Sequence, residues 1–389
     1  MAKQRLMTPG PTQVPEQALL AMARQLPHHR TPEFRAVLAE VQEHLKYVFQ
    51  TANDVVLLTS SGTGAMEAAV VNTAPRGGKA IVLESGKFSE RWRTICGVFG
   101  IEVVGHQVPW GQPFDADDVA RLLQQHPDAA AVFTTLQETS TGVGHDIAAI
   151  GRVVGPSPAL LVVDGISGVG VMECRTDDWQ IDVLVVGGQK AIMLPPGLAF
   201  LAVSPAAWQR IESNANRQAF YFDLMAYRKS LKQADTPFTP SIPLVLALVE
   251  NLRWFRQKGM EAIWAQGEVL ARAMRAGVQA LGLSLFAARP AAGMTAVCFP
   301  EGICGETFVK RLRQRFGVKV AGGQGPAKGK IFRIAHMGQI DELDVLSAVA
   351  AIELVLVEMK QPVKLGAGVA AAGQVLAEAA SHATDPTLK

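Results

Sequence analysis

Short, mainly apolar runs recur along the first half of the chain: Val55–Leu58, Ala80–Leu83, Ile101–Gly105, Ala130–Thr134, Leu160–Val163 and Val183–Val186, with Leu198–Val203 beyond them. They are too short for helices and lack the alternation of a half-exposed strand, so they predict strands buried on both faces. Between them, apolar positions three and four apart predict helices at Ala36–Phe49, from Thr63 through Val71, at Asp115–Gln125 and at Asp146–Val154. Strand–helix alternation of this kind predicts an α/β fold, a mainly parallel sheet covered by helices on both sides. Further helices are expected around Ala206–Ser213 and Phe222–Lys232, and through Trp254.

The pattern changes at Gly259. A long helix is predicted from Met260 to Leu281, then strands near Ala296–Phe299 and Lys330–Ile334 enclosing a helix from Glu306 to Arg315, which reads as a smaller α+β domain. The alanine-rich residues after Gly366 predict a short helix and a frayed tail. At the other end, Pro9, Pro11 and Pro15 surround Gly10, so the chain should stay extended until Pro15 opens a helix. The expected organisation is an arm over residues 1–14, a large domain over 15–258 and a small domain over 259–389, with no internal repeat.

Composition narrows the function classes. The chain has 389 residues, 49% hydrophobic and 19% charged, with a net charge of +2. There is no long basic run and no basic–aromatic interleaving, so nucleic-acid binding is not expected. The most apolar helical stretch, Leu346–Met359, carries Glu353 and Glu358 and is too short to cross a bilayer, and the start lacks the apolar run of a secretory signal. Cys96, Cys174, Cys298 and Cys304 form no Cys-x-x-Cys pair, which predicts idle thiols, no metal site and a reducing compartment. Cytoplasm is the expected location, and the ending Thr387-Leu-Lys389 is not a peroxisomal signal of the Ser-Lys-Leu type.

In parallel sheets, ligands bind beyond the carboxyl ends of the strands, and polar groups cluster there in this sequence. The turn Ser61-Gly-Thr63-Gly64-Ala65 leads from a strand into a helix, whose unpartnered N–H groups suit an anion. Phe88 and Trp92 lie four residues apart after another strand, and Gln137-Glu-Thr139-Ser-Thr-Gly142 follows a third. Asp164 ends the strand at Leu160, and Gln189-Lys190 follows Gly187-Gly188. Arg333 stands among apolar neighbours, a costly place for an unpaired guanidinium, and so predicts an anionic partner. A lysine able to form a Schiff base and an acid able to hold a pyridinium nitrogen are the two protein groups that pyridoxal phosphate chemistry needs.

These motifs, in this order, resemble the class V aminotransferases, most nearly the branch of serine–pyruvate, alanine–glyoxylate and serine–glyoxylate aminotransferases. The resemblance rests on Asp164-Gly-Ile-Ser-Gly168, Gly188-Gln-Lys190 and Glu138-Thr-Ser-Thr-Gly142, and runs from Pro9-Gly10-Pro11 to Arg333. It implies fold type I, with a large seven-stranded, mainly parallel sheet domain and a smaller C-terminal domain, and pyridoxal 5′-phosphate as cofactor. By that likeness Lys190 would bind the cofactor covalently and move the substrate proton, and Asp164 would hold the ring nitrogen. Thr63, Gly64, Ala65 and Gln189 would cradle the phosphate. Phe88 would stack on the ring, with Trp92 left as the other aromatic able to do so. Thr139 would reach the phenolic oxygen. Thr239 would reach the neighbouring subunit's phosphate, making the protein a homodimer with shared sites. Arg333 and Gly10 would contact substrate, Arg333 through the α-carboxylate, and the arm would wall the site near the dimer interface.

The expected reaction moves an amino group from alanine or serine to glyoxylate or pyruvate, because Arg333 alone serves a carboxylate. Arg30 and Arg91 are nearby in the motifs and could serve a second one. Within the superfamily, cysteine desulfurases carry a histidine just before the lysine and a glutamine three after the aspartate; here those positions are Gln189 and Ser167. An aminoethylphosphonate transaminase, or a non-catalytic subunit keeping the fold, are the other readings.

Overall fold

Seven strands build the central sheet of the computed structural model, which describes residues 3–215 and 217–383. They are β1 (Asp54–Leu58), β2 (Lys79–Glu84), β3 (Glu102–Gln107), β4 (Ala129–Thr135), β5 (Leu160–Asp164), β6 (Val183–Gly187) and β7 (Ala199–Val203), in spatial order β1-β7-β6-β5-β4-β2-β3. Only β7 runs against the rest, pairing antiparallel with β1 and β6, and all other pairs are parallel. The uninterrupted apolar runs have a direct cause. Leu161, Val163, Leu184 and Val186 enter one core layer, while Leu160, Val162, Val183 and Val185 enter the layer on the opposite face. A strand covered on both sides has no face left for polar residues.

Gly259 separates the helices Ile242–Lys258 and Met260–Ala280. Beyond it, strands β8 (Met294–Cys298), β9 (Ala321–Gly322) and β10 (Ile331–Ala335) form an antiparallel sheet in the order β8-β10-β9, backed by helices Gly305–Phe316 and Glu342–Glu358. The predicted short terminal helix is a long one, Ala367–Ala383, and residues 384–389 of the expected tail lie outside the described residues. Alanine is the best helix former, so the composition extends the helix. Its start is fixed from outside: buried Glu353 accepts from the N–H groups of Gly366 (2.9 Å), Gly368 (2.7 Å) and Val369 (3.1 Å).

The N-terminal arm finds its support in the small domain. Arg5–Leu6 pairs parallel with Val318–Lys319, and the Met7 carbonyl accepts from the Ala335 N–H at 2.8 Å. Among the described residues no helix is long and apolar enough to cross a membrane.

Candidate active site

Strand register brings the scattered motifs to one edge of the sheet. Ala199, at the start of β7, lies opposite both Leu58 at the end of β1 and Gly187 at the end of β6. Thr135 at the end of β4 pairs with Asp164 at the end of β5, and Asp164 pairs in turn with Val185 of β6. The turn after β1, the Gln137–Gly142 segment, Asp164 and Lys190 therefore share the carboxyl edge of the parallel strands, where an α/β sheet leaves a crevice.

Lys190 sits in the turn after β6, and the arm closes over it. Its Nζ donates to the Pro9 carbonyl, while Thr12 donates from its N–H to the Gln189 carbonyl (3.1 Å) and from its hydroxyl to the Lys190 carbonyl (2.7 Å). Gly10 has φ +107°, and a Cβ there would stand 2.5 Å from Lys190 Cδ and Nζ, so both the conformation and the close approach require glycine. Burial brings the Lys190 ammonium down to about 8; Asp164 opposes the shift, and Arg333 and Arg91 add to it. The lysine is thus a half-sheltered amine poised close to neutrality.

Asp164 is buried, and burial pushes its carboxyl up to about 7, although Oδ1 accepts from the Ile166 N–H at 2.8 Å. Glu138 pushes the same way, while Arg91 and Lys190 favour the ionised form. The fully buried Glu138 acts as a clamp. Its carboxylate accepts from the N–H groups of Phe88 (3.2 Å), Ser89 (2.8 Å) and Ser140 (3.0 Å), and from the Ser140 hydroxyl (2.6 Å). This fixes the turn that carries Phe88. Gly142 turns the segment back at φ +78°, a left-handed conformation that suits glycine.

The two candidate stacking aromatics separate cleanly. Trp92 is fully buried, its ring 4.9 Å from Phe133 and its indole N–H donating to the Thr134 carbonyl at 3.1 Å, so it belongs to the core. Phe88 remains half-buried, with the Arg91 guanidinium over its ring at 5.1 Å. Thr139 Oγ1 lies 2.6 Å from Ser167 Oγ, so Ser167 orients the Thr139 hydroxyl.

At the anion turn the helix starts at Gly62, with Ser61 as its N-cap and no side-chain cap bond. The Ala65 N–H donates to the Ser61 carbonyl at 3.2 Å, the first intrahelical bond of this helix. The N–H groups without an intrahelical partner are those one step earlier, on Gly62, Thr63 and Gly64. A serine before a glycine at a strand end is the N-cap signal that would have located them. Gln189 carries a buried Oε1 with no partner among the described residues, a costly arrangement that a ligand can relieve. Thr239 is exposed, in the segment between Thr236 and Ser241.

Arg333, in β10, is 4% exposed. Its Nε and Nη2 donate to the Gly322 carbonyl at 2.9 and 2.8 Å, and Nη1 to the Thr139 carbonyl at 2.9 Å. Desolvation lowers it to about 10, partly countered by Glu138. Each terminal nitrogen keeps a second N–H, and a guanidinium can grip a carboxylate through such paired groups. Arg30 is committed elsewhere: its guanidinium contacts Asp235 at 2.7 Å and the Thr236 carbonyl at 3.1 Å. Gln137, given no role from sequence, accepts from the Gly293 N–H at 3.1 Å and so ties the large domain to the small one.

The family pattern described as "Aminotransferase class-V" matches residues 6–339. This chain belongs to the class V aminotransferase family. It is 42% identical over 383 residues to a Synechococcus sp. protein named "Soluble hydrogenase, small subunit", covering 97% of this chain and 99% of that one. It is 35% identical to an L-aspartate–glyoxylate aminotransferase of Paracoccus denitrificans (94% of each covered) and 33% identical to a serine–glyoxylate aminotransferase of Methylorubrum extorquens (97% and 96%). Among solved structures, the ureidoglycine–glyoxylate aminotransferase of Bacillus subtilis matches with a TM-score of 0.92 at 28% identity, covering 97% of this chain and 99% of that one. The chain is a transaminase of class V, a family that implies pyridoxal phosphate. In this class V aminotransferase, the sequence motifs single out Lys190, Asp164 and Arg333 by residue type. They carry no sign of the contact between Ser167 and Thr139 or of the Pro9 carbonyl's bond to Lys190, which come from position alone.

Proposed function

We propose that this aminotransferase binds pyridoxal phosphate at the Lys190 site and moves an amino group from alanine or serine to glyoxylate or pyruvate, as a homodimer. The observation that carries the reading is a lysine brought down to about 8 near a buried carboxyl at the ends of neighbouring strands, with the two free N–H groups of Arg333 in the same region. The residues fit the cofactor: the orphaned Gln189 amide and the N–H groups of Gly62, Thr63 and Gly64 suit a phosphate, the Phe88 ring suits a pyridine face, and buried Asp164 suits a protonated ring nitrogen.

When bound, pyridoxal phosphate supplies the electron sink for charge left at the substrate Cα. The protein's own groups do the rest. Arg333 fixes the α-carboxylate and thereby aims the Cα–H bond. Lys190 Nζ would take and hold that proton, work suited to an amine whose affinity for protons is close to the working pH. Asp164, beside a positive N–H, reverts to its ionised form and holds that charge in place. The Thr139 hydroxyl, held 2.6 Å from the Ser167 hydroxyl, would be one of the groups that hold the ring's phenolic oxygen.

The small substrate follows from charge. Arg333 is satisfied by one carboxylate, Arg30 is held by Asp235, and Arg91 lies against Thr63. The dimer is supported by exposure beside the site: Phe220 is 83% exposed, and Tyr221, which reaches the Thr59 carbonyl, stacks on Phe238 at 5.0 Å close to Thr239. An apolar aromatic group left in water next to a half-built anion turn suits a second copy that supplies Thr239.

Single-turnover reactions with alanine, serine, glutamate, aspartate and aminoethylphosphonate, followed by loss of the bound cofactor's near-visible absorbance, test this. Alanine or serine should react fastest, and a preference for aspartate, glutamate or the phosphonate overturns the small-substrate reading. The name of the Synechococcus relative favours a second reading, a subunit of a larger assembly. A purified protein that takes up no cofactor and shows no such absorbance would select it.

A further inference from the structure

The cradle around the anion turn is neutral. It offers backbone N–H groups, the Thr63 hydroxyl and the Gln189 amide, and none of these carries a full charge. A phosphate monoester near neutral pH carries between about one and a half and two negative charges. A helix N-terminus contributes roughly half a positive charge. About one charge or more remains without a partner.

Arg91 is the cation that reaches this place. Its Nη1 donates to Thr63 Oγ1 at 2.9 Å, and its guanidinium lies over the Phe88 ring with its carbon 5.1 Å from the centroid. Among the described residues it has no carboxylate hydrogen-bond partner, unlike Arg93 on the same helix, which is paired with Glu84. Its charge acts on both Asp164 and Lys190. An unpaired guanidinium held between a stacking ring and a phosphate-cradle hydroxyl is a site prepared for an anion. We propose that Arg91 is a phosphate-binding residue, supplying the positive charge that the turn and Gln189 lack. It is therefore not the cation for a second substrate carboxylate. The assignment rests on the proposed function, because it needs pyridoxal phosphate in the Lys190 site.

The test compares pyridoxal phosphate with pyridoxal, which lacks the phosphate, on cofactor-free wild type, Arg91→Gln and Arg91→Lys. Affinity is read by quenching of intrinsic fluorescence, and melting curves check the fold of each variant. Arg91→Gln should weaken pyridoxal phosphate by about ten- to a hundredfold. Pyridoxal affinity should change by less than about threefold, and Arg91→Lys should recover part of the loss because it keeps a point charge. Equal losses for both ligands would show that Arg91 acts through Phe88 packing, and an unchanged affinity for pyridoxal phosphate would leave it without a role; either result overturns the assignment. A wild type that binds neither ligand overturns the proposed function and this assignment together, an outcome distinct from a defect confined to the variants.

Discussion

At the scale of single residues the site pairs two groups that folding holds away from their preferred states. The folded pKa of Lys190, about 8, lies below the 10.5 of an ordinary lysine. Between those values the unfolded chain binds the proton and the folded one does not, so this group's penalty is fully present below pH 8 and fades as pH rises toward 10.5. Lys190→Ala should abolish turnover and, in the cofactor-free protein at pH 7, raise stability by on the order of 2 kcal/mol, read as a higher melting temperature. Ordinary steady-state activity in a folded Lys190→Ala protein would sink the lysine's assignment. Asp164 is shifted the other way, from 3.8 to about 7. Here the folded chain holds the proton over that window, so the cost of ionising appears as pH rises from 4 to 7 and persists above it. Asp164→Asn should therefore stabilise the cofactor-free protein at pH 8 while slowing turnover by about a hundredfold or more, roughly 3 kcal/mol in the transition state. Near-native rates in that variant would show the aspartate's role to be misread.

At the scale of elements, clamps and caps set the geometry, and they were the least legible part of the sequence. The strands could be read because burial on both faces leaves an uninterrupted apolar run, as in Val183–Val186. The reversed direction of β7 leaves no such mark, since parallel and antiparallel strands in a covered sheet have the same composition. The arm's pairing with Val318–Lys319 was equally hidden, because a two-residue strand carries no period. Glu138 shows the same limit: sequence marked its motif, while its function as a four-donor clamp depends on where Phe88 and Ser89 come to lie. Glu138→Ala should strand those buried donors and cost about 2 to 4 kcal/mol of stability, measured by urea denaturation. Cofactor affinity should fall with it as the Phe88 turn loosens. A stability change below about 1 kcal/mol would refute the clamp.

At the scale of the whole molecule the prediction concerns assembly. The exposed Phe220 and Tyr221, the half-buried Phe238 beneath them and the exposed Thr63 and Thr239 lead us to expect a homodimer by analytical ultracentrifugation, with cofactor affinity falling as the dimer is diluted apart. Full cofactor binding by a monomer would overturn it. The arm has its own consequence at this scale. Pro9 and Gly10 complete the surroundings of Lys190, yet the arm is seated by Val318, Lys319 and Ala335 of the other domain. On the ribosome, residues 5–12 emerge early and must wait for most of the chain before they find their place. A nascent polypeptide halted between Lys190 and Val318 can complete the large sheet yet lack the lysine's lid. Such closure between distant parts of a sequence is entropically slow, so maturation of the site should be the last event of folding, later than the melting cooperativity of the large domain alone would suggest.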